Sequence, residues 1–146
     1  EESFKKNMSL NPKIEWAYRA LRGLYIEMNR IELSEEYSKK AANIYSQLTI
    51  DNYQKIKEIL DERKIRLACI QYPLRSVKPL KKIFEGRKGV IFVDNEEIFI
   101  NAIKEEGYKE YFTDMFGGDF GHCTQKGNRL LAENIADVIL KELKGI

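Results

Sequence analysis

In the first part of the chain, apolar residues recur at the spacing of an α-helix, with polar residues between them. Apolar side chains recur every three or four residues over 13–28 and again over 33–48, which places them on one face of each helix. The break at Asn29–Arg30 is short, and a short break between two amphipathic helices is typical of an antiparallel pair. The pattern therefore predicts a helical hairpin within residues 1–50.

Beyond residue 50 the pattern changes from helices alone to helices that alternate with short apolar runs. Asp51 is predicted to cap a third helix that continues to Lys64. The apolar runs at 65–72 and 90–93 are typical of strands that are buried on both faces of a sheet. Helices are predicted around them, at 77–84, 96–106 and 124–143, with Thr124 as the cap of the last one. This alternation indicates βα units and a parallel sheet.

Two strands alone do not make a stable parallel sheet, because both strands need neighbours and both faces need cover. The pattern therefore predicts that strands outside this chain complete the sheet. If the chain exists alone, the edge of the 65–72 strand is exposed, and it is expected to self-associate or to pair with another chain.

Composition narrows the classes of partner. Apolar residues make up 43% and charged residues 33%, which is ordinary for a globular domain. The net charge of +2 gives no electrostatic attraction for nucleic acid or for an anionic membrane. No apolar run is long enough to span a bilayer, and the start has no signal-peptide pattern. The sequence has two cysteines, Cys69 and Cys123, and two cysteines alone do not indicate a disulfide-stabilised protein. A reducing, cytoplasmic location is therefore expected.

The single histidine, His122, lies in a glycine-rich loop before the last helix and three residues after Asp119. A histidine that acts as a base needs an acceptor on its other ring nitrogen, and the glycines let Asp119 turn back to reach it. The alternatives are a solvated pair of loop residues and a contact at the start of the helix. Asp114 is expected on the solvated surface, and its alternative role is that of a second acid near the loop. Asp94 ends a strand and is expected to cap the next helix, with a place in the lining of the site as its alternative. No metal or cofactor is expected, because no ligand spacing such as H-x-x-x-H or C-x-x-C is present.

The run from Asp119 to Glu133 resembles the last conserved block of the SGNH/GDSL hydrolases. It contains Asp-x-x-His, a glycine (Gly127) five positions after the histidine, and a helix with Ala-Glu. Residues 65–73 resemble the family's fourth strand with its terminal proline, and 90–94 resemble the fifth strand with its terminal aspartate. The resemblance covers residues 51–146.

The resemblance implies a three-layer, flavodoxin-like SGNH-hydrolase α/β fold that lacks its N-terminal part. It implies the C-terminal segment of a serine esterase or acyl hydrolase that acts on a small acyl ester without a cofactor. His122 would be the general base and Asp119 its orienting partner. The family's Gly-Asp-Ser nucleophile block and its oxyanion blocks do not occur in this sequence, and Ser76 follows a strand but has no glycine elbow. The chain alone is therefore expected to be inactive.

The hairpin resembles a single tetratricopeptide repeat, because Tyr18, Leu21, Tyr25 and Ala41 fall at the repeat's spacing. It departs from the repeat at Arg22, where a small residue is preferred, and the closing proline is absent. One repeat cannot bury its own faces, so the hairpin is either packed on the domain or available to a protein partner. The second choice gives an alternative function, namely a non-catalytic interaction module on a degenerate hydrolase scaffold.

Overall fold

The computed structural model describes residues 1–10, 15–41, 47–115 and 120–144. In these residues the chain is mostly helical, and one pair of short strands lies near its middle. The helices are α1 (Glu2–Leu10), α2 (Glu15–Glu27), α3 (Ile31–Ala41), α4 (Gln47–Glu62), α5 (Lys78–Ile83), α6 (Glu96–Glu106), α7 (Tyr108–Tyr111) and α8 (Gln125–Lys144), and the strands are β1 (Leu67–Ile70) and β2 (Val90–Val93).

Helices α2 and α3 form a hairpin whose turn lies at the break in the apolar pattern. Asn29 has a φ of 55°, a left-handed conformation that asparagine tolerates better than most residues. The ring of Tyr37 in α3 lies 5.4 Å from that of Tyr25 and 6.4 Å from that of Tyr18, both in α2. These aromatic contacts hold the two helices together. Residues 42–46 of the predicted second helix lie outside the described residues.

The predicted start of the third helix is wrong. Helix α4 begins at Gln47, so Asp51 lies inside the helix and does not cap it. The Gln47 side-chain amide donates a hydrogen bond of 2.8 Å to the Asp51 carboxylate, one turn further along. A polar pair at this spacing stabilises a helix, and Asp51 can make it without ending the apolar stripe.

Strands β1 and β2 are parallel, with Leu67 opposite Val90 and Ile70 opposite Val93. One face of the pair packs on α4 and α5. On the other face, helix α8 packs against β2. Val93 of β2 is therefore fully buried, whereas its neighbour Ile70 in β1 is 46% exposed. The predicted burial of both faces is therefore wrong for β1. Pairing of its edge with another chain stays a prediction.

The largest apolar core joins the helical hairpin to the C-terminal half of the chain. Ile26 and Ile31, on either side of the hairpin turn, belong to the same cluster as Phe99 and Ile103 of α6. The hairpin is therefore part of the folded body. The other buried members of this cluster are Leu74, Ile100, Tyr108, Tyr111, Phe112 and Phe120.

Helix α8 is the longest helix and carries a well-formed N-terminus. The Thr124 hydroxyl accepts a hydrogen bond of 3.1 Å from the amide of Gly127, as the predicted cap requires. A Cβ on Gly127 would overlap the carbonyl oxygen of Tyr111, so glycine lets α8 approach α7 closely. Within the described ranges, none of the helices combines the length and apolar content needed to cross a bilayer.

The predicted three-layer, flavodoxin-like SGNH-hydrolase fold is wrong. Such a fold requires a wide parallel sheet, whereas β1 and β2 pair only with each other in the described part of the chain. The spacing of apolar residues along the chain explains why the sheet is so small. Residues 15–62 and 125–144 follow the helical period over most of their length, and consecutive apolar residues that favour strands occur only in short runs.

Candidate active site

The candidate site is a loop between α7 and α8 whose two ends are joined by backbone hydrogen bonds. Phe112 and Cys123 form an antiparallel bridge. Beside it, the amide of Thr113 donates to the carbonyl oxygen of His122 at 2.8 Å, and the amide of Thr124 donates to that of Tyr111 at 3.0 Å. Because these bonds flank the loop, the backbone at His122 is held against the opposite side of the loop.

His122 is paired with Asp114 across this loop. The ring nitrogen Nδ1 of His122 lies 2.7 Å from Oδ2 of Asp114, and the backbone amide of His122 donates to Oδ1 at 2.8 Å. One carboxylate therefore fixes both the backbone and the ring of the histidine. Two hydrogen bonds from His122 hold the pKa of Asp114 below its usual value, and the bond from the backbone amide has a larger effect than the bond from the ring.

This arrangement selects the histidine tautomer. An ionised carboxylate can only accept hydrogen bonds, so the neutral ring of His122 carries its proton on Nδ1 and has Nε2 as its basic nitrogen. The His122 side chain is 71% exposed and that of Asp114 is 51% exposed. The pair therefore lies at the surface of the protein.

Gly121 is required for the approach of the two loop sides. A Cβ at this position would overlap the backbone carbonyl oxygen of Asp114 and would lie 3.0 Å from its Oδ1. Backbone atoms cannot rotate away, so any larger residue would have to push Asp114 from His122. The absence of a side chain at Gly121 therefore allows Asp114 to contact His122.

In the described residues, the carboxylate that contacts His122 is that of Asp114. Asp119, the predicted partner, lies outside the described residues. Asp114, which was expected on the solvated surface, makes the contact and remains half exposed. No local pattern in the sequence singles out Asp114 as the partner of His122.

The carboxyl ends of β1 and β2 are joined by a buried amide network. Asn95, which is fully buried, donates to the carbonyl oxygen of Gln71 at 3.0 Å. Its side-chain oxygen accepts from Asn134 of α8 at 2.8 Å, and Asn134 also donates to the Asp94 carbonyl oxygen at 3.0 Å. The Asp94 carboxylate accepts from the amide of Glu96, a local contact at the start of α6. Asn95 and Asn134 were not singled out from the sequence.

The loop that follows β1 contacts the loop of His122. The ring of Tyr72 stacks on that of Phe120, with centroids 4.4 Å apart and planes 15° apart. The guanidinium of Arg75 lies 4.8 Å from the Phe120 centroid and 5.5 Å from that of Tyr72. A cation and two aromatic rings therefore lie beside the segment that carries the histidine.

Two serine hydroxyls and the two cysteine thiols are other potential nucleophiles in the described residues. Ser34 is buried and donates to the Ile31 carbonyl oxygen, and the Ser76 hydroxyl accepts from the Lys78 amide at 3.4 Å. Neither Cys69 nor Cys123 is in a disulfide, and burial raises the pKa of both thiols. Within the described ranges, no three His, Cys, Asp or Glu side chains are grouped to hold a metal ion.

Comparisons with protein-family models, curated proteins and solved structures gave no match to this chain. The resemblance to SGNH hydrolases therefore depends on the residues between Asp119 and Glu133 and on the two short apolar runs. The geometry of the loop is independent of that resemblance.

Proposed function

We propose that His122 is the general base of a serine-type ester or acyl hydrolase, with Asp114 as its orienting carboxylate. The observation that carries the proposal is the 2.7 Å contact between Nδ1 of His122 and Oδ2 of Asp114, together with the bond from the His122 amide to the same carboxylate. A carboxylate on one ring nitrogen is what a histidine needs for proton transfer at the other. The resemblance at residues 119–133 supports the same chemistry.

In this reaction Nε2 of His122 takes the proton of a serine hydroxyl while that oxygen attacks the carbonyl carbon of the ester. The resulting imidazolium is stabilised by the ionised carboxylate of Asp114. The histidine then gives the proton to the departing alcohol oxygen, and an acyl-serine remains. Water, deprotonated by the same nitrogen, hydrolyses the acyl-serine and restores the serine.

The nucleophile in this proposal comes from outside the 146 residues. The sequence contains no Gly-Asp-Ser block, and Ser34 is enclosed in the helical hairpin. The His122 side chain is 71% exposed, and in this proposal a segment that carries the serine reaches it from outside the chain. The chain would then supply the acid/base half of a composite site.

The test is hydrolysis of 4-nitrophenyl acetate by the complete natural polypeptide and by its His122→Ala variant. We expect His122→Ala to lower kcat/KM by about 10²–10⁴-fold, the usual contribution of a positioned general base. Asp114→Asn should lower it as well, and more than Asp119→Asn does. Asp137→Asn removes an exposed carboxylate of α8 and serves as the matched control.

Equal rates for the natural protein and His122→Ala would reject a role in ester hydrolysis. The interaction-module alternative would then lead. If Asp119→Asn has the larger effect, the assignment of the orienting role to Asp114 is wrong, while the role of His122 stands.

A further inference from the structure

The hydroxyl of Tyr108 holds the backbone of Asp114. Tyr108 belongs to the short helix α7 and is 7% exposed, and its hydroxyl donates a hydrogen bond of 2.9 Å to the Asp114 carbonyl oxygen. The carboxylate of the same Asp114 contacts both the amide and the ring of His122. The two ends of Asp114 are therefore held by different parts of the protein: its backbone by α7 and its carboxylate by the opposite side of the loop.

The ring of Tyr108 is itself held in the core. It stacks on the ring of Phe112, with centroids 4.8 Å apart and planes 28° apart. Both rings belong to the largest apolar cluster, and Phe112 is 1% exposed. The backbone of Phe112 forms the bridge to Cys123 at the base of the loop. Because close packing restricts the ring, its hydroxyl stays at one place beside the loop.

The carbonyl group of Asp114 is also approached closely from the segment that carries His122. A Cβ on Gly121 would lie 1.7 Å from the Asp114 carbonyl oxygen. This oxygen therefore accepts a hydrogen bond from a buried hydroxyl and lies against a residue that has no side chain. The position of Asp114 relative to His122 is set by contacts of its backbone as well as by its carboxylate.

Such support is needed because the pair is exposed. The side chains of His122 and Asp114 are 71% and 51% exposed, so water competes for the carboxylate. Exposed pairs held by their side chains alone contribute little, since two mobile side chains must be ordered in one geometry. A fixed backbone at Asp114 reduces the conformational freedom that this ordering removes. Positioning matters for catalysis as well, because a displacement of about 1 Å can cost a large part of the rate.

We propose that Tyr108 is a positioning residue for the His122–Asp114 pair: its hydroxyl sets the place of Asp114, and Asp114 in turn selects the tautomer of His122. The inference deepens the proposed hydrolase function, and its catalytic consequence rests on that function. It adds a residue of α7 that lies outside the motif at residues 119–133.

The first test is the tautomer of His122 in the Tyr108→Phe variant of the complete natural polypeptide, read from the ¹⁵N NMR signals of the imidazole. The variant keeps the ring that stacks on Phe112 and loses the hydroxyl alone. In the natural protein, at a pH at which the ring is neutral, the signals should show the proton on Nδ1. In Tyr108→Phe the carboxylate is less well placed, so the two nitrogen signals should move towards each other as the second tautomer becomes populated. His122→Ala, which lacks these signals, identifies them.

Tyr111→Phe is the matched control. Tyr111 lies in the same helix and is 4% exposed, and its hydroxyl donates a hydrogen bond of 2.8 Å to the Glu106 carboxylate of α6. The control therefore removes an equally buried hydroxyl with a hydrogen bond of its own, and it should leave the His122 signals in place.

Equal changes of the His122 signals in the two variants, or no change in Tyr108→Phe, would overturn the inference. Loss of the fold in Tyr108→Phe, while Tyr111→Phe still folds, would overturn it too, because the hydroxyl would then serve the core and not the pair.

A kinetic test separates this inference from the proposed function. With 4-nitrophenyl acetate, Tyr108→Phe should lower kcat by about 2–10-fold, the size of one hydrogen bond, and leave KM unchanged. In an Asp114→Asn background the same substitution should have no further effect, since both changes act through one carboxylate. A full, additive effect in that background would overturn the inference. If hydrolysis proves independent of His122, the proposed function fails, while the tautomer measurement still decides whether Tyr108 positions the pair.

Discussion

Arg22 of α2 and Glu96 of α6 form a salt bridge of 3.1 Å, although they are far apart in the sequence. The Arg22 side chain is 3% exposed and that of Glu96 is 21% exposed, so the pair is largely removed from water. Arg22 is the position at which the hairpin departs from the tetratricopeptide pattern. The departure has a structural reason, because the arginine joins the hairpin to the first turn of α6.

Arg22→Gln should lower the free energy of unfolding by about 2–4 kcal/mol, because breaking a buried pair leaves its partner poorly compensated. The measurement is urea unfolding followed by circular dichroism. Arg87→Gln is the control, since the Arg87–Glu58 pair is exposed and should contribute at most about 1 kcal/mol. Equal shifts in the two variants would show that the Arg22 pair has no special weight.

The pairing of Asp114 with His122 predicts a pH dependence. The pKa of Asp114 is lowered in the folded protein, so its contribution to stability is present above the unfolded pKa. That contribution is lost as the pH falls through the folded pKa. Natural protein and Asp114→Asn should therefore differ in stability at neutral pH and converge in acid.

NMR titration of the Asp114 carboxyl carbon gives the direct check, and its midpoint should lie below that of an unperturbed aspartate. Unfolding curves of the two proteins at neutral and acidic pH give the energetic check. A stability difference that grows in acid would contradict the observed pairing.

Gly121→Ala should disturb the site locally, because the new methyl group would overlap the Asp114 carbonyl oxygen. We expect a loss of about 1–3 kcal/mol in the free energy of unfolding, as for other overpacked positions. The His122 ring signals should also shift in NMR spectra. Gly86→Ala is the comparison: it meets open space but has a φ of 77°, so it strains only the local backbone and should leave those signals in place.

The elements that the sequence predicted well depend on short-range patterns. The strand at 90–93 and the cap at Thr124 follow from a consecutive apolar run and from a hydroxyl before an amphipathic helix. Helix α6 likewise lies at its predicted residues. Each of these features depends on neighbours within a few positions, which a sequence displays directly.

The features that were missed depend on contacts between distant residues. The exposure of Ile70 depends on which strand α8 packs against, and no local pattern encodes that contact. The contact between Asp114 and His122 depends on backbone bonds between the two sides of a loop. The Asn95–Asn134 contact joins a strand end to a helix, and either asparagine alone reads as an ordinary turn or surface residue.

The bonded ends of the candidate loop have an evolutionary consequence. Phe112 and Cys123 pair with each other, so the connection is closed at its base. Closure entropy grows only slowly with loop length, and each doubling costs roughly 0.6 kcal/mol. Insertions in this connection would therefore leave the helices on either side folded. Descendants of this chain could acquire new selectivities by varying that segment alone, without rebuilding the helices on either side.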